Sequence, residues 1–273
     1  MSSLSTPESR PVDQAGPDPL LLLLDPAARQ TDGESVRIAR DVLCGGADVK
    51  VSLPESPSEL DRALSRRGHR RPVVIGSDLA LQRVLQALHR HRELGAEPIG
   101  VVPVGRPGAV AVAHALGVPS EPVAAARTVI NGSSRKLDLL VDDGGGVVLG
   151  GLRIQPHRLS RPGGWRSLWA KFAAAEQAMA PAGQSRLRIE ADGRLLADVH
   201  QPLCRLHITV PAAEGVMELH LRIGADPQRI RAGSLTVVGR GFGYEADGCP
   251  VGPVGARTWT VHAGAWELML PAR

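Results

Sequence analysis

One change of hydrophobic period divides this sequence in two and restricts its fold more than any motif does. From Leu20 to about Gly151, short apolar runs alternate with helical patterns, the mark of βα units winding a parallel sheet. The predicted strands are Leu20–Leu24, Val49–Leu53, Pro72–Ile75, Ile99–Pro103 and Leu137–Val141, each too short for a helix and bounded by Pro, Gly or Asp. Val36, Ala39, Val42 and Leu43 make one helical face, and Leu81, Val84, Leu85 and Leu88 make another. Later the apolar positions alternate in steps of two, at Leu187 and Ile189, Leu203 to Val210, Val216 to Ile223, Leu235 to Val238, Thr258 to Val261 and Trp266 to Leu270. That pattern belongs to antiparallel strands with one wet face. The expected fold is therefore α/β, a Rossmann-like parallel-sheet domain over residues 19–150 followed by a mainly antiparallel β-sandwich domain over 151–273.

Residues 1–18 are rich in Pro, Gly, Asp and Glu, lack the basic start and long apolar stretch of a signal peptide, and read as a disordered tail. The strongest apolar run, Leu20–Leu24, ends at Asp25-Pro26, far short of the roughly 20 residues needed to span a bilayer. Cys44, Cys204 and Cys249 are too scattered for a disulfide framework or a zinc knuckle. A cytoplasmic protein is expected, with a peripheral position at the inner membrane face as a variant of that reading.

A hydrophobic fraction of 43% is ample for two cores, and the net charge of +4 rests almost wholly on arginine. Runs such as Arg66, Arg67, Arg70 and Arg71 would attract phosphates, an anionic membrane or nucleic acid, or would simply be solvated. Four Trp, one Tyr and two Phe leave little for bases to stack on, so no nucleic-acid partner is expected. A helix is predicted from Trp165 to Met179, with Trp165 and Trp169 on one face as core anchors or lipid contacts.

Parallel sheets bind ligands where strands end and helices start, because free N–H groups and the helix dipole favour anions there. Two loops qualify. Gly76-Ser77-Asp78 follows a buried strand, with Ser77 or Asp78 placed to cap the next helix. Gly105-Arg106-Pro107 follows another, with Pro107 where a helix begins and Arg106 able to reach a phosphate or to sit idle on the surface. Farther along, Arg188 to Gly193 and Tyr244 to Gly248 are echoes of one another, each a strand running into an Asp-Gly hairpin turn. On spacing alone, Asp192 and Asp247 are turn formers.

In this order and spacing, the segments resemble the lipid kinase family that includes bacterial diacylglycerol kinases. Gly76-Ser77-Asp78-Leu79-Ala80 stands where that family has G-G-D-G-T. Pro103-Val104-Gly105 opens the place of its P-L-G-T-x-N-D, and Ala113-His114-Ala115-Leu116-Gly117-Val118-Pro119 is similar to its A-R-x-L-G-I-P. Asp25-Pro26-Ala27-Ala28-Arg29 occupies the place of N-P-x-S-G, and Arg135 to Leu139 that of the segment leading to the second domain. Tyr244 to Pro250 resembles the D-G-E-P hairpin, and Val261 to Trp266 the V-x-P-G-A-L strand. The resemblance spans Leu20 to Pro271.

It implies ATP and Mg2+ between the two domains and transfer of the terminal phosphoryl group to a lipid alcohol such as diacylglycerol. Carried over by position, Asp25, Gly76, Ser77, Asp78, Gly105 and Arg106 would bind nucleotide, Asp78 and Asp138 would serve the metal, and Asp247 would be the catalytic base. The departures are chemical. Leu79 replaces a glycine where backbone approaches phosphate, Ala80 removes a hydroxyl, Arg106-Pro107-Gly108-Ala109-Val110 replaces T-x-N-D, and Cys249 stands for glutamate. They open a second expectation, an inactive relative that binds nucleotide or lipid as a regulator. An NAD kinase-like enzyme is a third, though no full G-G-D-G-T or acidic N-E pair is present. A homodimer is compatible with each.

Overall fold

The computed structural model describes residues 18–154, 186–201 and 203–272. The chain opens with β1 (Leu20–Leu24), whose first four leucines are buried. It continues through α1 (Pro26–Thr31), α2 (Gly33–Gly46), β2 (Val49–Ser52), α3 (Pro57–Ser65), β3 (Arg71–Gly76), α4 (Asp78–His91), β4 (Gly100–Pro103), a 3-10 turn (Pro107–Ala109), α5 (Ala111–Ala115) and α6 (Pro122–Asn131). The four strands form a parallel sheet in the order β2-β1-β3-β4. All six residues of β3 are buried, which is why Pro72–Ile75 reads as an unbroken apolar run rather than an alternating one, although the strand opens on the buried Arg71.

Local chemistry sets the helix starts. Asp25, Asp32, Ser56 and Ser77 each accept a backbone N–H as N-cap, and Pro26 and Pro57 begin the helices that follow Asp25 and Ser56. On α4, Leu81, Val84, Leu85 and Leu88 are all buried, as their spacing requires.

The second half holds β5 (Ser133–Asp142), β6 (Val147–Val148), β7 (Gly151–Ile154), β8 (Leu187–Ala191), β9 (Arg194–Ala197), β10 (Leu203–Thr209), β11 (Met217–Ile223), β12 (Asp226–Ala232), β13 (Ser234–Ala246) and β14 (Cys249–Leu270). They form one ten-stranded sheet along the path β12-β11-β10-β7-β13-β14-β5-β6, with β8 and β9 branching from β13. Every pairing in it is antiparallel. The sheet encloses a second core around Ile189, Leu206, Leu219, Val237 and Trp259. The expected two-domain fold, a parallel α/β half and a mainly antiparallel β half, is the fold observed. Both expected hairpins form: Asp192 and Gly193 (φ 48° and 76°) join β8 to β9, and Asp247 and Gly248 (φ 47° and 81°) join β13 to β14.

One strand differs from its sequence reading. Leu137–Val141 is a strand, as part of β5, but it is not a fifth member of the parallel sheet; it pairs antiparallel with β14. An apolar run specifies burial and leaves the direction of its partner open. Here the last strand decides. The end of β14 also lies against the chain entering β4: Ile99 N–H donates to the Glu267 carbonyl (2.8 Å) and Met269 N–H to the Ile99 carbonyl (2.9 Å). Trp266, Leu268 and Leu270 are thereby buried in the first core beside Leu137 and Leu139.

The helix expected at Trp165–Met179 and the expected tail as far as residue 17 lie outside the described residues. No helix among the described residues is long and apolar enough to cross a membrane.

Because Leu268 is fully buried in a core built mostly from residues more than a hundred positions earlier, Leu268→Ala is expected to lower the unfolding free energy by about 2–5 kcal/mol. Urea denaturation measures it, and a loss below about 1 kcal/mol would contradict this packing.

Candidate functional site

At the C-terminal edge of the parallel sheet, three loops are tied together by carboxylates. Asp25, at the end of β1, is buried and accepts the N–H of Ala27 (3.0 Å), the N–H of Ser77 (3.2 Å) and the Ser77 hydroxyl (2.7 Å). A side chain on Gly76 would place its Cβ 2.3 Å from the Cβ of Asp25, so only glycine lets the two strand ends approach this closely. Val104 N–H donates to the Gly76 carbonyl (3.0 Å), which brings the Gly105 loop alongside. Arg106 follows with an exposed side chain that has no hydrogen bond or ion pair among the described residues, while its carbonyl accepts Ala109 N–H (2.8 Å).

Asp78 opens α4 and turns inward. Its two carboxylate oxygens accept the N–H groups of Val112 (2.8 Å) and Ala113 (2.9 Å), so it satisfies the start of α5. Burial raises the proton affinity of Asp78, these two bonds oppose the rise, and the charge of Asp247 adds to it. Leu79 sits in the helical first turn of α4, 38% exposed. The left-handed backbone that its glycine counterpart suggested is not adopted there.

Asp247 comes from the other half of the molecule and meets α4. Its carboxylate accepts three successive N–H groups, Leu149 (2.7 Å), Gly150 (2.8 Å) and Gly151 (3.0 Å), and lies 3.4 Å from the side-chain amide of Gln82. Gln82, one turn along α4 from Asp78, also donates to the Val147 carbonyl (2.5 Å). A Cβ on Gly150 would stand 3.1 Å from the Val112 side chain, so the 149–151 turn, the start of α5 and the Asp247 hairpin share one junction. Burial raises the proton affinity of Asp247, opposed by its backbone partners.

Asp138 is placed elsewhere. Lying on β5, it accepts Gly215 N–H (2.6 Å) and Gly264 N–H (2.8 Å) and fastens those two turns to the strand. The fold thus gathers Asp25, Gly76, Ser77, Asp78, Gly105 and Asp247 around one edge and leaves Asp138 outside that group. Sequence reasoning missed Gln82 and the 149–151 donors. Their signals were a polar residue four positions after Asp78 on one helix face, and paired glycines ahead of a strand.

Between the start of α1, α3 and α4 lies a cavity of about 320 Å³ lined in part by Asp25, Pro26, Glu55, Leu60, Arg83 and Arg90; it shares Asp25 with the group above and is lined by neither Asp78 nor Asp247. It is at the small end for a small-molecule site and sits where α/β sheets take ligands.

No protein-family model and no curated protein matches the sequence. Solved structures do match. A candidate diacylglycerol kinase of Bacillus anthracis str. Sterne superposes with a TM-score of 0.73 at 12% identity, covering 96% of this chain and 98% of that one. A structure described as a diacylglycerol kinase from the same organism gives 0.71 at 14% identity, over 93% and 97%. A third, again a candidate diacylglycerol kinase, gives 0.68 at 12%, over 93% and 97%. The chain is similar to these proteins over nearly its whole described length, and at such identities the similarity is one of fold.

The motif resemblance given above implies magnesium, so the donors it points to can be tested. Magnesium takes near-octahedral oxygen ligands, whereas Asp78 sits at the start of α5 and Asp138 apart from it between the turns at Gly215 and Gly264. Among the described residues no group of three or more His, Cys, Asp or Glu could hold a metal ion. As arranged, these residues do not fit magnesium.

A raised carboxyl pKa has a definite sign in stability. The folded state holds the proton more tightly than the unfolded chain, so this stabilisation is complete below the unfolded value of about 4 and is lost as pH rises through the folded value. Denaturant unfolding at a series of pH values from about 4 upward is expected to show wild-type stability falling more steeply with pH than that of Asp78→Asn. Equal slopes would contradict the assigned burial.

Proposed function

We propose that the chain is a lipid-kinase-like protein that brings ATP and a lipid alcohol such as diacylglycerol together between its two halves. One observation carries the reading: a fold similar to diacylglycerol kinases delivers Asp78 from the first half and Asp247 from the second to one buried junction beside α4. The cavity of about 320 Å³ that shares Asp25 with the site group has room for part of a nucleotide, and Arg83 on its wall and Arg106 after the Gly105 turn are exposed cations able to meet phosphates. ATP supplies the phosphoryl group. Asp247, whose burial raises its proton affinity, is the base that takes the lipid hydroxyl proton as the oxygen bonds to phosphorus and ADP leaves.

A second reading, a non-catalytic relative that binds nucleotide or lipid as a regulator, is favoured by a specific feature. The carboxylates that would serve transfer are already engaged by the N–H groups of residues 112–113 and 149–151, and the donor set does not fit magnesium. No observation favours an NAD kinase-like activity.

Radiolabelled ATP offered with diacylglycerol in mixed micelles separates the two. The kinase reading expects labelled lipid whose formation falls by at least about a hundredfold in Asp247→Asn. Absence of product, with nucleotide or lipid binding still measurable by calorimetry, establishes the regulator; if neither ligand binds, both readings fail.

A further inference from the structure

Away from this junction, the solvent face of the antiparallel sheet carries rows of arginine and histidine that folding alone does not call for. Register places Arg153 of β7 opposite His207 of β10, His207 opposite His220 of β11, and His220 opposite Arg229 of β12. Two residues along the strands, Arg205 stands directly opposite Arg222. Register partners share a face, and the intervening Ile154, Leu206 and Leu221 point into the second core. Like charges directly opposite one another destabilise a sheet.

Ion pairs relieve part of this, and within the face His220 lies 3.8 Å from Glu218. Arg153 meets Glu245 of β13 (3.0 Å), Arg229 meets Glu218 (2.6 Å) and Arg231 meets Glu214. Arg205 and Arg222 are exposed and have no ion pair among the described residues. Charges on an edge strand guard against edge-to-edge association, and that accounts for Arg229 and Arg231 on β12. It does not account for Arg205 and Arg222, whose strands are hydrogen-bonded on both sides.

We propose that this face is a docking surface for an anionic membrane, with its arginine and imidazole rows laid against the headgroup layer. Four strands make it about 15 Å across, too broad for a DNA major groove of about 12 Å. Among the described residues every Phe, Tyr and Trp ring, Phe242, Tyr244, Trp259 and Trp266, is buried and out of reach of bases. β13 carries Glu245 at the margin of the face and then turns at Asp247, so a bilayer seated here lies beside the strand that leads into the candidate site. Docking does not depend on ATP turnover, and its test stands apart from that of the kinase reading.

Co-sedimentation of the full chain with phosphatidylglycerol–phosphatidylcholine vesicles, against phosphatidylcholine alone, is the measurement. Each arginine near such a surface contributes about fivefold in affinity, so Arg205→Thr with Arg222→Thr is expected to weaken binding roughly twenty-five-fold. Arg37→Ala with Arg40→Ala, on the exposed side of α2, is expected to leave it unchanged. Burial, then Arg153, His220 and Arg205, hold His207 below the ordinary imidazole range. With Arg222 and Arg229 nearby and, among the described residues, Glu218 and Glu245 opposing, acidification through and below the ordinary imidazole range adds charge and tightens binding. Thermal melting of the Thr pair at or above the wild-type midpoint shows that lost binding is not lost folding. Unchanged vesicle binding in that pair, equal loss in the α2 pair, or a lowered midpoint would each overturn the proposal. So would a duplex DNA affinity that exceeds vesicle affinity and falls with the Thr pair.

Discussion

The pairing of β14 with two different partners holds this molecule together. Its first part is zipped to β13, with Trp259 in the second core, and its last part runs along β5 and against Ile99, with Trp266, Leu268 and Leu270 in the first core. The strand shifts register between His262 and Trp266, which is how a single segment passes from one core to the other. Asp138 secures that passage. It binds the N–H of Gly264 within the irregularity, and its own carbonyl accepts the indole N–H of Trp266 (3.2 Å). Removing this continuity would leave two half-cores, each with an open edge.

A second theme is the use of buried and half-buried carboxylates as acceptors for backbone N–H groups. Asp25, Asp78, Asp138 and Asp247 are drawn from different loops, yet each satisfies donors at a turn or helix start that would otherwise be orphaned. The same donors are what such folds turn toward phosphate. A carboxylate and a phosphate oxygen are chemically alike to an N–H group, so a chain can close such a site with its own side chains. That equivalence is the physical ground on which a kinase-like fold can work as a catalyst or as a binding protein.

The α/β half was legible because its signals are local. Four apolar strands, the caps at Asp25 and Ser77 and the helical face of α4 follow from residues within a few positions of one another. Both Asp-Gly hairpins were legible for the same reason, since positive φ at two successive positions suits few other pairs. The site was partly legible: the loops at 76–78 and 105–106 and the hairpin at 247 could be marked, but their partners could not. Nothing near Asp247 in the sequence announces residues 149–151, and nothing near Asp78 announces the start of α5.

By itself the sequence determined where strands, helices and tight turns form, because periodicity, capping and glycine placement act over short range. It also determined which residues are chemically able to bind phosphate or take a proton. Only the tertiary structure decided that Leu137–Val141 runs antiparallel, that Asp138 fastens turns apart from the junction, and that Asp78 and Asp247 meet there while bound to backbone. The reason is that partnership across a fold depends on which distant segments pack together, and a residue's own neighbours carry no record of that.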